Sequence, residues 1–269
     1  MNNKNIQDNR PAVIAFLIRF TYFTIVIAVC FVVYRFFLRE IFNNDKFIIP
    51  VLGLWLFSAY FFLPRLHRWF SKIYLPNYFI GRVRTYDGLL GDPVNIAVLG
   101  NEKQLITALK NSGWTRAEDL SNKSSLKMVK SSIFKLSYPS APVSSLFLFN
   151  RKQNFAFQKE IDGNPHKRHH VRFWATPKKW WLPGGYQADW LGAATYDRRV
   201  GFSTLTLQIT HKIAENTDEE RDFLLKTITD FNPSVKVTIV KHFTSGYHDR
   251  NGGGDRIKTD GSLPFVELK

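Results

Sequence analysis

Hydrophobic positions cluster at the front of this chain, in two long apolar stretches that fill most of its first 64 residues. The second, residues 47–63, has no charged side chain, and the first, residues 12–38, is interrupted only by Arg19 and Arg35. A bilayer core of about 30 Å takes about 20 apolar residues in a helix that rises about 1.5 Å per residue. Both stretches meet that length when Arg19 and Arg35 lay their stems along lipid and hold their guanidinium groups among the headgroups. No small-residue cleavage site separates them, which argues against a removed signal peptide. The pattern predicts a short tail at residues 1–11 and a two-helix transmembrane hairpin over residues 12–64. Arg65, Arg68 and Lys72 then lie opposite Leu66, Trp69, Phe70 and Ile73 at helical spacing, so the basic juxtamembrane segment 65–87 is expected to include a short interfacial helix.

From Gly88 the pattern becomes that of a soluble domain, residues 88–269, long enough for one core. Asn101 with Gln104 reads as a capping box, Leu105, Ile106 and Leu109 line one helical face, and Gly113 ends the helix. A second helix is expected over residues 124–135. A third opens at Thr217, paired with Glu220, buries Phe223, Leu224 and Ile228, and stops at Asn232 and Pro233. Apolar and β-branched runs predict strands at residues 145–149, 155–159, 169–175, 190–196, 204–209, 235–242 and 265–268. Because strands come in runs and not in strict alternation with helices, the expected class is α+β, on a largely antiparallel sheet with about three helices.

Charge adds an orientation. The net charge is +15, from 37 Lys and Arg against 22 Asp and Glu, and residues 1–84 hold 11 of those bases with only 3 of the acids. Half of the excess therefore flanks the apolar stretches. Lys4 and Arg10 before the hairpin, and Arg65, Arg68, Lys72, Arg82 and Arg84 after it, outnumber Arg35, Arg39 and Lys46 around its loop, which predicts both termini in the cytoplasm. No ladder of aromatic and basic residues marks a nucleic-acid module, so nucleic acid is not an expected partner; membrane lipid is. The one cysteine, Cys30, lies within the first stretch, so the chain has no internal disulfide.

The densest chemistry is Lys167-Arg168-His169-His170-Val171-Arg172-Phe173-Trp174. On a strand, successive side chains face opposite ways. His169, Val171 and Phe173 then look toward a core, and Arg168, His170 and Arg172 form a row able to hold phosphate or carboxylate. The other meaning of that row is a solvated face paired with acids on a neighbouring strand. Six of the seven histidines lie after residue 165, yet no His-Glu-x-x-His, cysteine pair or His-x-His on a strand appears, so neither a metal nor another cofactor is expected. There is no Gly-x-Ser-x-Gly elbow either. The anion-binding candidates are Arg168, Arg172, Arg198 and the glycines Gly252, Gly253 and Gly254; the candidates for catalysis are His170, Asp197 and Asp255. The glycine run allows close backbone approach to a ligand or simply makes a surface loop. The small residues of Leu191-Gly192-Ala193-Ala194-Thr195 let another element, or a ligand, approach the sheet closely.

Several of these motifs occur in one order: Gly91-Asp92-Pro93-Val94-Asn95, then Tyr138-Pro139-Ser140-Ala141-Pro142-Val143-Ser144, then the Arg168-to-Trp174 row. Trp190-Leu191-Gly192-Ala193-Ala194-Thr195-Tyr196-Asp197-Arg198, Thr210-His211, Glu220-Arg221-Asp222 and Asn251-Gly252-Gly253-Gly254-Asp255 follow. Together they resemble the LssY C-terminal domain family of bacteria over about residues 88–269. The resemblance implies a domain joined to membrane modules, which points toward envelope lipids or lipid phosphates, and it assigns no catalytic residues. The sequence departs from the family's pattern at Leu207, where Gly is usual, and at Lys212, where a second His commonly follows His211. These readings lead to a membrane-anchored cytoplasmic domain that binds an anionic ligand, a lipid headgroup or a lipid-linked phosphate, in an accessory role in the envelope. The competing reading is a hydrolase of a phosphate or acyl ester with His170 as acid/base.

Overall fold

A computed structural model of the chain describes residues 12–43, 47–67, 81–119, 121, 124, 127, 136–161, 164–244 and 250–268. It divides into an N-terminal unit, Met1–Phe62, and a C-terminal unit, Leu63–Lys269. The helix expected over residues 124–135, and the interfacial helix beyond His67, lie almost wholly outside the described residues.

In the N-terminal unit, α1 (Ala12–Asn43) and α2 (Ile48–Phe57) are followed by a π-helical turn, Ser58–Phe62. Ser58 Oγ donates to the Leu54 carbonyl at 2.7 Å, and this back-bonding accompanies the local widening of the helix. The same oxygen meets Tyr34 Oη of α1 at 2.7 Å. Gly53 allows the approach, since a Cβ there would fall 2.8 Å from Phe37 Cζ. Among the described residues one helix, Ile48–His67, is long and apolar enough to cross a membrane. The sequence pattern suggested two; α1 carries Arg19, Arg35, Arg39 and Glu40 along its length.

The C-terminal unit is α+β. Strands β1 (Arg82–Thr85), β2 (Leu90–Pro93), β5 (Leu146–Leu148) and β6 (Arg151–Lys152) form a four-stranded sheet in the order β2-β1-β5-β6. The larger sheet comprises β3 (Ile96–Leu99), β4 (Thr115–Arg116), β7 (Phe155–Ile161), β8 (Asn164–Ala175), β9 (Trp190–Phe202), β10 (Ile209–Ile213), β11 (Lys236–Val240) and β12 (Leu263–Glu267). Its order is β11-β12-β3-β9-β8-β7-β4, with β10 paired to β9, and every pairing is antiparallel except β12 with β3. Helices α3 (Glu102–Asn111) and α4 (Thr217–Phe231) cover one face, where Leu105, Leu109, Phe157, Val171, Phe173, Leu224 and Ile228 make the main core. Side chains of alternate parity, Trp174, Leu191 and Ala193, join a second core with Val83 and Leu146 of the smaller sheet. The period of two thus sends β8 and β9 into two cores at once.

Local chemistry explains where the pattern held and where it did not. The α3 capping box forms as expected, Asn101 Oδ1 accepting from Gln104 N and Gln104 Oε1 from Asn101 N. At α4 the cap is Asn216 and not Thr217, because Asn216 Oδ1 accepts from Asp218 N while Glu220 turns inward. The strand expected at 204–209 is instead a turn followed by β10. Ser203 Oγ accepts from Leu205 N and Thr206 N, and Leu207 sits at φ 59, a left-handed conformation that explains the usual Gly there. Strand β1 lies upstream of the boundary expected at Gly88 yet pairs with β2 and β5. The small residues of β9 are a packing device: a Cβ at Gly192 would overlap Ile96 Cγ2 and fall 2.8 Å from the Phe173 ring. Asn95 completes that contact, exchanging hydrogen bonds of 2.9 Å with the backbone N and O of Ala194.

Candidate functional site

Register alone puts the site together. In the β8–β9 ladder Arg168 lies opposite Asp197 and His170 opposite Thr195, while β7 sets Gln158 opposite His170. Strand β10, carried back along β9, brings His211 over the same face. Arg168, His170, Arg172, Asp197 and His211, with Asp92 of β2 and Ser144 from the loop that leads into β5, line one cavity of about 240 Å³. The residues that sequence reasoning singled out as a row are joined there by Gly252 and Gly253.

Asp197 is its centre. The carboxylate is 4% exposed, and its Oδ2 lies 3.5 Å from His170 Nδ1, 3.5 Å from His211 Nδ1 and 3.9 Å from Arg168 Nη2. Burial by itself would raise its pKa; His170, His211 and Arg168 outweigh that and hold the carboxyl well below the usual carboxylate range. Proton positions follow from the neighbours. A guanidinium only donates, so the 3.2 Å bond from Arg168 Nη2 makes His211 Nε2 an acceptor and leaves the ring proton on Nδ1, facing Asp197. His170 Nε2 shares a 2.7 Å hydrogen bond with the Thr195 hydroxyl, and His170 Nδ1 faces the carboxylate. Burial pushes the Arg168 guanidinium down, against the pull of Asp197 and Glu160.

The second arginine is tied elsewhere. Arg172 Nη1 donates to Asp92 Oδ2 at 3.1 Å, and its Nε and Nη2 reach the Ser144 carbonyl and hydroxyl at 3.3 and 3.4 Å. The row is therefore paired with acids, as its plainer reading held, but it is buried and not solvated: Arg168 is 3% exposed and Arg172 5%. Gln158, fully buried, accepts from Arg168 Nη1 at 3.1 Å and donates to the Pro139 and Ala141 carbonyls at 2.7 Å, which fixes the loop supplying Ser144. Arg168 Nε is a buried nitrogen without a hydrogen-bond partner among the described residues.

The other candidates are placed apart from this cluster. Arg198 is exposed, and its Nε donates to the Ile213 carbonyl. Asp255 pairs with Lys212 at 3.0 Å and accepts from Ile213 N, so Lys212, in the position of the family's second His, anchors the glycine loop, donating also to the Gly253 carbonyl at 2.7 Å. Gly254, at φ 81, makes the turn against Thr204. The amides of Gly252, Gly253 and Gly254 are all used inside the protein, on the Leu90 carbonyl, Asn251 Oδ1 and the Asn251 carbonyl. Gly252 serves close approach, because a Cβ there would lie 2.9 Å from Leu89 Cβ. No group of three His, Cys, Asp or Glu among the described residues is arranged to hold a metal ion. Asp92, Ser144 and Gln158 were given no role from sequence; Asp92 stood in the quoted Gly91-to-Asn95 motif, the one signal that could have marked it.

His169 looks the opposite way, as period two requires. It stacks on Phe223 with centroids 4.0 Å apart, and its Nδ1 meets Glu220 Oε2 at 2.6 Å. Burial pushes the Glu220 carboxyl up, against the lowering effect of His169. His169→Ala is expected to cost about 2 kcal/mol, the worth of a hydrogen bond to a charged, buried group. Thermal melting of the full chain checks it, and an unchanged midpoint would mean that Glu220 finds another partner.

Among known proteins, the family model for the LssY C-terminus matches residues 72–263. No curated protein and no solved structure matches the chain. The matched stretch covers most of the chain, including every residue lining the cavity, and the chain belongs to this family.

Proposed function

We propose that this member of the LssY C-terminus family is a membrane-anchored domain whose polar cavity binds the anionic group of a ligand, with both N-terminal helices crossing the membrane and both chain ends in the cytoplasm. The observation that carries the binding reading is the convergence of two guanidinium groups and two imidazoles on one cavity, with Arg168 Nε a buried nitrogen that has no hydrogen-bond partner among the described residues. A desolvated donor without an acceptor costs about 1–3 kcal/mol, and an oxyanion removes that cost. Asp92 and Asp197 balance Arg168 and Arg172.

A hydrolase has one observation in its favour, the alignment of the Thr195 hydroxyl, His170 and Asp197. It lacks access: Thr195 is fully buried, and both His170 ring nitrogens face protein groups. Binding is therefore the better-supported function.

Isothermal titration of the full chain in detergent with inorganic phosphate tests it. Wild type should bind, and Arg168→Gln should bind about 10- to 150-fold more weakly, the equivalent of about 1.5–3 kcal/mol for charge-assisted bonds. No heat with wild type, or equal affinity in a variant that melts normally, overturns the reading. For the anchor, a reporter fused after Lys269 should be active only in the cytoplasm; activity on the far side of the membrane would reverse the orientation.

A further inference from the structure

The loop from β8 to β9 presents an aromatic side chain to solvent on a fixed frame. Across its base Thr176 N donates to the Asp189 carbonyl at 2.8 Å; further out Trp180 N donates to the Pro177 carbonyl at 3.0 Å and Leu182 N to the Tyr186 carbonyl at 2.9 Å. Gly184 and Gly185, both at φ 78, make the tight turn between Leu182 and Tyr186. Within that frame successive side chains part ways. Trp180 packs on Phe149 with ring centroids 5.2 Å apart, and Leu182 is buried in the second core. Trp181, between them, is 64% exposed. Its neighbours on both sides are anchored inward, so covering its ring orders almost no further chain.

The chemistry of this surface matches a lipid headgroup layer. An indole has an apolar body and one N–H donor, which favours the boundary between hydrocarbon and water. Lys178 and Lys179, both exposed, stand just before it, and no acidic residue occurs from Thr176 to Ala188. Lysines so placed lay their stems along apolar surface and their ammonium groups among phosphates. The loop also lies beside the point where the chain enters the sheets. Tyr186 is 6.0 Å from Phe243 between ring centroids, and the next residue, Thr244, packs on Gly81, where a Cβ would overlap its side chain. Gly81 in turn follows His67, the end of the helix long and apolar enough to cross a membrane, by a stretch of chain that can reach at most about 50 Å. A bilayer is the one partner that the chain itself holds within that reach.

We propose that the Trp181 loop docks on the anionic surface of the membrane that anchors the chain, with the indole in the headgroup layer and Lys178 and Lys179 among lipid phosphates. This rests on the membrane anchor of the preceding reading and adds a second contact with the same bilayer.

The full chain tests it, reconstituted in vesicles of equal parts phosphatidylcholine and phosphatidylglycerol, with and without bromine on the acyl chains close to the headgroups. The emission lost in Trp181→Phe, a change at an exposed position outside both cores, is the Trp181 component. Brominated lipid should quench most of it. Lys178→Gln with Lys179→Gln should lower the ratio of quenched to unquenched Trp181 about 30-fold, the equivalent of two lysines at about 1 kcal/mol each. A Trp181 component that bromine leaves untouched overturns the proposal: quenching by aqueous acrylamide then marks a water-exposed loop, and protection from both quenchers marks a protein contact. Extraction of the vesicles with alkaline carbonate keeps the two readings apart. A chain that stays with the lipid while Trp181 is unquenched loses the docking surface and keeps the anchor; a chain that washes off with Trp181 unquenched loses both.

Discussion

Asp197→Asn should destabilise the C-terminal unit by about 3–5 kcal/mol, the usual consequence of removing one member of a buried charged cluster. Asp197 is the acid paired with Arg168: the guanidinium is 3% exposed, Glu160 adds a further pull, and its hydrogen bonds go to Gln158 and His211. The substitution also leaves His170 Nδ1 and His211 Nδ1–H facing an amide in place of a charge. At about 2–4 °C per kcal/mol for a domain of this size, the melting point should fall by about 10 °C. The effect has a defined acid dependence. Because the folded carboxyl is held well below its ordinary value, Asp197 contributes fully above an unfolded pKa of about 4, and loses that contribution as pH falls through the folded value. The gap between wild type and Asp197→Asn in urea unfolding should therefore be widest at neutral pH and narrow below about pH 4. A gap that is small at neutral pH would mean that the cluster does not hold the strands together.

Asp92→Ala should cost a similar amount, about 3–5 kcal/mol, for a related reason. Arg172 would keep only the long Ser144 contacts, 3.3 and 3.4 Å, around a charge buried between the two sheets. Replacing both partners at once, Asp92→Leu with Arg172→Met, should recover most of the loss, since an ion pair exchanged for apolar groups of similar volume is often neutral or better. Urea unfolding of the two single variants and the double variant gives the coupling directly. Simple additivity of the single effects would show that the pair does not act as a unit.

What the sequence revealed followed from periodicity. Alternation along Arg168-His169-His170-Val171-Arg172-Phe173 assigned the two faces of β8, because a pleated strand leaves no other choice once Val171 and Phe173 enter the core. Burial was not legible in the same way. A row of Arg, His and Arg reads as a surface until the smaller sheet covers it, and the segment that makes that sheet, β1 and β2, consists of four-residue strands too short to carry a period. Asp92 and Ser144 were invisible as partners for the same reason: they are 80 and 28 residues from Arg172, joined to it only by tertiary folding. The glycine run carried two readings, close approach to a ligand and a surface loop, and spacing alone did not show that Asn251 organises the turn internally, with Oδ1 accepting from Gly253 N and Asp255 N. Glu220 read as a capping residue because of its spacing from Thr217, whereas an Asn one position earlier takes that role and frees Glu220 for His169.

The central claim is that Asp197 organises two imidazoles and the Arg168 guanidinium in a cavity that receives an anion. Ring-nitrogen NMR of the ¹⁵N-histidine-labelled chain, followed while inorganic phosphate is added, tests it most directly. Saturating phosphate should shift the ring-nitrogen signals of His170 and His211, which line the cavity, and leave those of His169, on the opposite face, unmoved. Unchanged His170 and His211 signals at saturating phosphate would contradict the account.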